Sequence, residues 1–262
     1  MSDPITERLN VAKDICQRSG ETALGHFRAL GELTIERKGH QDLVSEADRN
    51  VELEIRAALA AAFPGDAIVG EEHAPTPGTS GYTWVIDPID GTANFVAGIP
   101  VWTVVLACVH QGRTEVGVVH DPVHAEMFWA KRGGGAYCNA APLRVATSEG
   151  FHDGTIGVGY SGRSKPGAIH ALIREIDARG GLFYRNASGA ASLAMVAAGR
   201  LLAYAEDHMN AWDYLAGQLL VHEAGGCVEE QDADAAILNG GRVIAATPVI
   251  WDELLGICNA AF

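Results

Sequence analysis

The sequence predicts a mixed α/β protein, helices layered on sheets, in two closely joined lobes. Three observations predict it. Between residues 101 and 130 apolar positions recur with period two, as strands of an antiparallel meander do. Between residues 155 and 224 strand-like and helix-like runs alternate, the pattern of an α/β lobe. At 262 residues, 48% hydrophobic and 20% charged, the chain can also bury one large core or two joined ones.

Residues 6–30 read as a helix with Leu9, Ala12, Ile15 and Cys16 on one face, weakened at Gly20 and Gly25. Residues 33–38 suit a strand. Ser45 reads as an N-cap, with Asp48 three residues on and Val51, Leu53, Ile55 and Leu59 along the helix that follows. Phe63-Pro64-Gly65 stops that helix. Residues 66–70 form a short buried strand that delivers Glu71. A loop over 73–81, with two prolines and two glycines, leads to a strand ending at Asp87.

Residues 101–109, 114–120 and 126–130 make the meander, which Gly133-Gly134-Gly135 breaks before a short strand starting at Tyr137. The first lobe is read as 1–145 and the second as 146–262. In the second, strands are expected at 155–159, 182–184 and 201–205. Helices are expected at 168–179, from a Ser188 cap to Ala198, and at 213–224, closed by Gly225-Gly226.

With 19 basic and 33 acidic residues the formal net charge is −14, which disfavours nucleic acid and anionic membranes as partners. A phosphate ester would be repelled too, unless bound cations reversed the field locally. The five cysteines are odd in number, widely spaced and free of Cys-x-x-Cys, so neither a disulfide framework nor a zinc site is expected. A reducing cytoplasm fits that usage. Met1-Ser2-Asp3-Pro4 opens a polar stretch without an apolar signal region, and runs such as 57–63 are too short for a bilayer.

The chemistry concentrates in Trp84-Val85-Ile86-Asp87-Pro88-Ile89-Asp90-Gly91-Thr92, an apolar run driven straight into two carboxylates around a proline. Buried charges need partners, and hard divalent ions such as Mg2+ prefer carboxylate and carbonyl oxygens. Asp87, the Ile89 carbonyl and Asp90 would supply such oxygens, joined by Glu71 from a neighbouring strand and Asp213 from a helix start. Carboxylates so placed repel unless two or three cations sit among them. Two ions about 3.5–4 Å apart form a clamp for in-line phosphoryl displacement. If a helical turn opens at Gly91-Thr92, its free N–H groups suit a phosphate. Thr92 would orient the attacking water, Asp48 would take a proton in a Thr-Asp relay, and Glu71 would be the immediate base.

Taken singly, these residues have plainer readings. Asp-Pro-x-Asp-Gly-Thr can be a turn, Asp213 an N-cap, Asp48 a first-turn carboxylate, and Glu206 a solvated acid after a strand. Arg163 and Lys165 read as loop charges, Lys38 as either a surface or a cleft charge, and the ten histidines show no metal spacing.

In combination the motifs resemble the inositol monophosphatase family, within the larger group of lithium-sensitive, metal-dependent phosphatases. The resemblance rests on Gly70-Glu71-Glu72, Asp87 to Thr92 with Asn94-Phe95, Gly117-Val118-Val119 with Asp121-Pro122, and Gly133 to Asn139. It continues to Trp212-Asp213 and Glu223-Ala224-Gly225-Gly226, with Lys38, Asp42-Leu43-Val44-Ser45 and Asp48 upstream. It implies a layered αβαβα sugar-phosphatase sandwich, usually a homodimer.

It also implies metal ligands at Glu71, Asp87, the Ile89 carbonyl, Asp90 and Asp213, and water activation by Thr92 with Asp48. Substrate binding falls to Gly91, Thr92, Ser188, Glu206 and Asp213. Ala187-Ser188-Gly189 departs from the family's usual Gly, Ser or Thr, Ala order, and Ala140 stands where Gly is more usual after Asn139. The segment 207–211 also differs from the better-known members. The expected activity is Mg2+-dependent hydrolysis of a small polyol or sugar phosphate, with myo-inositol monophosphate foremost, by metal-activated water attack. Histidinol phosphate, fructose 1,6-bisphosphate and 3′-phosphorylated adenosine nucleotides are alternatives on the same core. A non-catalytic, metal-dependent binding protein is the alternative of another class.

Overall fold

The computed structural model describes residues 3–32, 35–39 and 42–262. In chain order the elements are α1 (Pro4–Arg28), β1 (Ile35–Gly39), β2 (Asp42–Ser45), α2 (Glu46–Ala62), β3 (Ala67–Gly70), β4 (Tyr82–Asp90) and α3 (Thr92–Val96). The meander follows as β5 (Thr103–His110), β6 (Arg113–Asp121), β7 (Glu126–Lys131), β8 (Ala136–Cys138) and β9 (Ala141–Pro142). Then come β10 (Thr155–Val158), α4 (Ala168–Ala178), β11 (Leu182–Tyr184), α5 (Gly189–Ala197), β12 (Ala203–Met209) and α6 (Ala211–Glu223). The chain ends with β13 (Cys227–Val228), α7 (Ala233–Asn239), β14 (Gly241–Ala246) and α8 (Trp251–Ala261).

Strands β3 to β9 form one sheet in sequence order, parallel only between β3 and β4. A second sheet runs β11-β10-β12-β14-β13, and β1 and β2 make a separate hairpin. Both sheets are buried on both faces, and the alternation of side chains shows it. In β5, Val104, Leu106 and Cys108 pack with α1 and α2, while Val105, Ala107 and Val109 join the cluster around α5 and α6. In β14, Val243 and Ala245 face that same central cluster, while Ile244 and Ala246 face α4 and α8. The layers therefore read α1/α2, first sheet, α5/α6, second sheet, α4/α8: an αβαβα sandwich.

The expected elements through Ala224 are present, with shifted ends. β1 matches the strand expected at 33–38 and α3 the helical turn considered at Gly91-Thr92, whereas β2, β9 and everything after Gly226 have no counterpart in the sequence reading. Leu33, where a strand was expected to begin, and the side chains of Lys38 and Ser45 lie outside the described residues. Two readings of helix faces change. Gly20 is a contact rather than a weakness, because a Cβ there would run into the His120 ring across α1 and β6. In α2, Val51, Ile55 and Leu59 are buried as expected, but Leu53 is 51% exposed and Glu52 takes the inner position.

Candidate active site

Strand β4 carries an apolar run into Asp87 and Asp90. Three positions apart, their side chains would face opposite sides of a regular strand. The ladder to β5 slips here: Asp87 lies opposite Val105 but Asp90 opposite Thr103, so β4 holds one residue more than its partner. Pro88, which has no N–H to give the ladder, sits in that bulge. Both carboxylates end on the same side, 2% and 6% exposed.

Parallel pairing sets Gly70 of β3 beside Ile86 of β4, so Glu71 emerges next to Asp87. Asp213 arrives from the first turn of α6, where its Oδ2 accepts the Asn210 N–H at 3.0 Å. Among the described residues, one carboxylate oxygen from each of Glu71, Asp87 and Asp213 lies within 4.8 Å of the others. Three hard oxygen donors converging in this way suit a divalent cation such as Mg2+ or Mn2+.

The electrostatics agree. Burial, then the charges of Glu71, Asp90, Asp213 and Asp48, push Asp87 well above the ordinary carboxylate range. Burial and the Asp90 charge raise Asp213 to about 7, against the pull of the Asn210 N–H. Asp90 is raised by burial too, although the Ser188 hydroxyl and the N–H groups of Ala190 and Gly189 draw it down.

Beside this cluster the Thr92 hydroxyl lies 2.9 Å from Asp48 Oδ1 and 3.0 Å from the Ile89 carbonyl, with Asp48 itself buried. Thr92 can donate to Asp48 and still accept a hydrogen from water. Gly91 precedes it with φ 96°, and a Cβ would come within 3.1 Å of the Val101 carbonyl. Glycine is required at this turn. Asn94 then ties α3 down, donating to the carbonyls of Val101 at 2.7 Å and Asn186 at 2.6 Å.

Ser188 lies directly behind Asp90. Expected among the substrate-binding residues, it is 2% exposed and its hydroxyl donates to Asp90 while accepting the Ala191 N–H as N-cap of α5. Asp90 also takes the Gly189 and Ala190 N–H groups at 3.2 and 2.9 Å. The Ser188 hydroxyl therefore supports Asp90 from the start of α5. The reordered Ala187-Ser188-Gly189 leaves Ala187 at φ 61°, a conformation glycine holds more easily.

Glu206, on β12, is buried, accepts the Tyr204 hydroxyl at 2.6 Å, and is lifted by burial to about 7. Arg163 and Lys165 are exposed on the loop after β10, and Lys165 is fastened there by its N–H to Asp207 at 2.6 Å. Sequence reasoning missed Glu52, which touches the backbone just after Glu71. Its signal was present: Glu52 and Arg56 are an i,i+4 pair adjoining the apolar positions 51, 55 and 59.

A model of the inositol monophosphatase family matches residues 5–260. The inositol-1-monophosphatase of Mesorhizobium japonicum is 38% identical over 250 residues, covering 94% of each chain. Nus factor SuhB of Pseudomonas aeruginosa is also 38% identical, over 256 residues and again 94% of each chain. The crystal structure of the extragenic suppressor protein SuhB from Bartonella henselae superposes with a TM-score of 0.90 at 31% identity, covering 97% of this chain and 98% of that one.

Proposed function

Because the chain belongs to the inositol monophosphatase family and is an enzyme of that class, we propose that it is a Mg2+-dependent phosphomonoesterase for a small polyol or sugar phosphate. myo-Inositol monophosphate is the first candidate substrate. The observation that carries the reading is the Thr92–Asp48 hydrogen bond of 2.9 Å beside the convergent oxygens of Glu71, Asp87 and Asp213. A metal site that served structure alone would have no use for a hydroxyl poised on a buried carboxylate next to it.

Glu71, Asp87, Asp213, Asp90 and the Ile89 carbonyl would hold two or three Mg2+ ions. When bound, such ions lower the pKa of the attacking water and offset charge on the phosphoryl and leaving oxygens. The chain's own residues do the rest. Thr92, donating to Asp48, accepts a hydrogen from the water and so fixes its line of attack. Glu71 takes the water's proton at a carboxylate oxygen. The N–H groups opening α3 at Gly91-Thr92 hold a phosphoryl oxygen. Glu206 and Asp213 accept hydrogen bonds from substrate hydroxyls.

No helix among the described residues is long and apolar enough to cross a membrane, and net −14 speaks against nucleic acid, so a cytoplasmic enzyme with a small-molecule partner is proposed. A homodimer is proposed on the resemblance. The edge strand β11, with Leu182 and Phe183 67% and 55% exposed, offers apolar surface for it. Light scattering of the purified chain measures that state.

The test is phosphate release from a panel of phosphomonoesters, with and without Mg2+ and with added Li+. Mg2+-dependent, Li+-inhibited release is expected, fastest with myo-inositol monophosphate. Release from no ester, despite Mg2+ binding, would replace the enzyme reading with a metal-dependent binding role.

A further inference from the structure

Glu52 is fully buried on the inner side of α2, a costly position for a carboxylate without partners. Its partners converge on the segment that carries Glu71. Oε2 accepts the Glu72 N–H at 2.7 Å, and Oε1 accepts the His73 N–H at 3.2 Å. Arg56, one turn further along α2, donates its Nε–H to Oε1 at 2.6 Å. The same guanidinium reaches over the segment to the His73 carbonyl at 3.0 Å and the Thr76 hydroxyl at 3.3 Å. On the other side of Glu71, Gly70 has no room for a side chain because the Glu52 carboxylate occupies the place of a Cβ. The residues immediately before and after Glu71 are thus fitted to one buried carboxylate.

We infer that Glu52, braced by Arg56, is a positioning residue that sets the direction in which Glu71 meets Asp87 and Asp213. The inference rests on the proposed reading of Glu71 as a metal ligand. A second buried ion pair, among the described residues, shows the contrast. Arg8 and Asp66 engage each other, Ser80 and Trp84, and make no bond to the Glu71 segment. Both pairs hold the fold, but only Glu52–Arg56 fixes the backbone on which a ligand stands.

Glu52→Gln keeps the shape yet places an amide N–H2 where a carboxylate oxygen accepted, so at least one donor of Glu72, His73 or Arg56 loses its acceptor. Groups that orient metal ligands from behind typically change metal affinity by about 10–100-fold. Calorimetric titration of the metal-free full chain with Mn2+ is expected to show E52Q binding at least about tenfold more weakly than the unsubstituted chain. Arg8→Met should lower thermal stability and leave that affinity unchanged, which separates positioning from stability.

Two further variants complete the test. Glu71→Gln must itself weaken Mn2+ binding; if it does not, the reading of Glu71 fails rather than that of Glu52. With E71Q weakened, E52Q should cost little more in the double variant, because the ligand it positions is gone. Should E52Q fail to fold, Gly70→Ala, whose Cβ displaces the Glu52 carboxylate, is expected to give the same loss. Affinity equal to the unsubstituted chain in folded E52Q, or in G70A, overturns the inference.

Discussion

Replacing Asp213 by Asn is expected to stabilise the metal-free protein at alkaline pH and to remove most of its response to Mg2+. Burial and the neighbouring Asp90 raise the Asp213 carboxyl from 3.8 to about 7. A carboxyl raised on folding binds its proton more tightly in the native state than in the unfolded chain. Its contribution is therefore complete below the unfolded value of 3.8 and is lost as pH rises through about 7. Between about pH 5 and about pH 8 that loss amounts to roughly 2–3 kcal/mol. For a chain of this length it is worth roughly 4–6 °C in Tm.

Asn at this position cannot ionise, and its amide oxygen can still accept the Asn210 N–H that Asp213 receives at 3.0 Å. The metal-free D213N variant should therefore lose less stability over that pH range than the unsubstituted chain, and should exceed it at about pH 8. Glu206, also raised to about 7 by burial, titrates in the same direction in both proteins, and because its charge also raises Asp213, the variant relieves that mutual repulsion and flattens its slope further. Mg2+ reverses the slope for the unsubstituted chain alone, because the ion binds the ionised carboxylates and its stabilisation grows with pH. At free Mg2+ about 100 times Kd the gain is about 2.7 kcal/mol. Scanning calorimetry of both proteins at the two pH values, with EDTA and with Mg2+, makes the measurement. Parallel pH slopes for the two metal-free proteins would refute the reasoning.

Thr92→Val should lower kcat by about 10²–10⁴-fold while Mn2+ affinity is kept, and Thr92→Ser should restore much of the rate in the phosphate-release assay. Ser188→Ala removes the hydroxyl that Asp90 accepts and the cap of α5, and urea melts should show a loss of about 1.5–3 kcal/mol. Ala187→Gly relaxes a residue held at φ 61°; about 1–2 kcal/mol of strain relieved against about 0.5–1 kcal/mol of chain entropy leaves a small rise in Tm. Arg8→Met leaves Asp66 buried without its guanidinium, expected to cost about 3–5 kcal/mol in urea melts with little change in kcat.

The site could be read from the sequence largely because its parts are local. Asp87 to Thr92 is one strand end and one turn, and Glu71 and Asp213 each follow a recognisable stop or start. The Thr92–Asp48 bond joins positions 44 residues apart; the chemistry suggests the two as a relay and the resemblance implies the same pair, but no local pattern brings them together. Other contacts left no usable trace. Ser188 was read correctly as a helix cap, but nothing local says that a cap hydroxyl will also donate to an aspartate 98 residues away. Glu52 illustrates the limit on helix faces: the apolar pattern groups Leu53 with Val51, Ile55 and Leu59, whereas tertiary packing buries the charged neighbour beside Arg56 and leaves Leu53 51% exposed. The last strands and helices went unread because β13 and β14 are short or alanine-rich and gain their definition by pairing in the second sheet.

Helix starts gather at the acidic centre. Asp48 is in the first turn of α2, Thr92 opens α3, Asp90 receives the N–H groups at the start of α5, and Asp213 is in the first turn of α6. Each start carries the positive end of a helix dipole and unpaired N–H donors, which favour nearby negative charge. If those helix ends balanced the cluster, its carboxyls would titrate at or below their ordinary values. They do not: Asp87, Asp90 and Asp213 are all raised, burial being the largest cause in each and neighbouring carboxylates adding to it at Asp87 and Asp213. The backbone therefore offsets only part of the repulsion. What remains calls for full positive charges at the mouth of four helices, and a −14 chain has few to bring there. A divalent cation meets that demand and brings an affinity for phosphate with it. The same imbalance that destabilises the metal-free fold as pH rises is what gives an anionic ester a reason to enter an acidic protein.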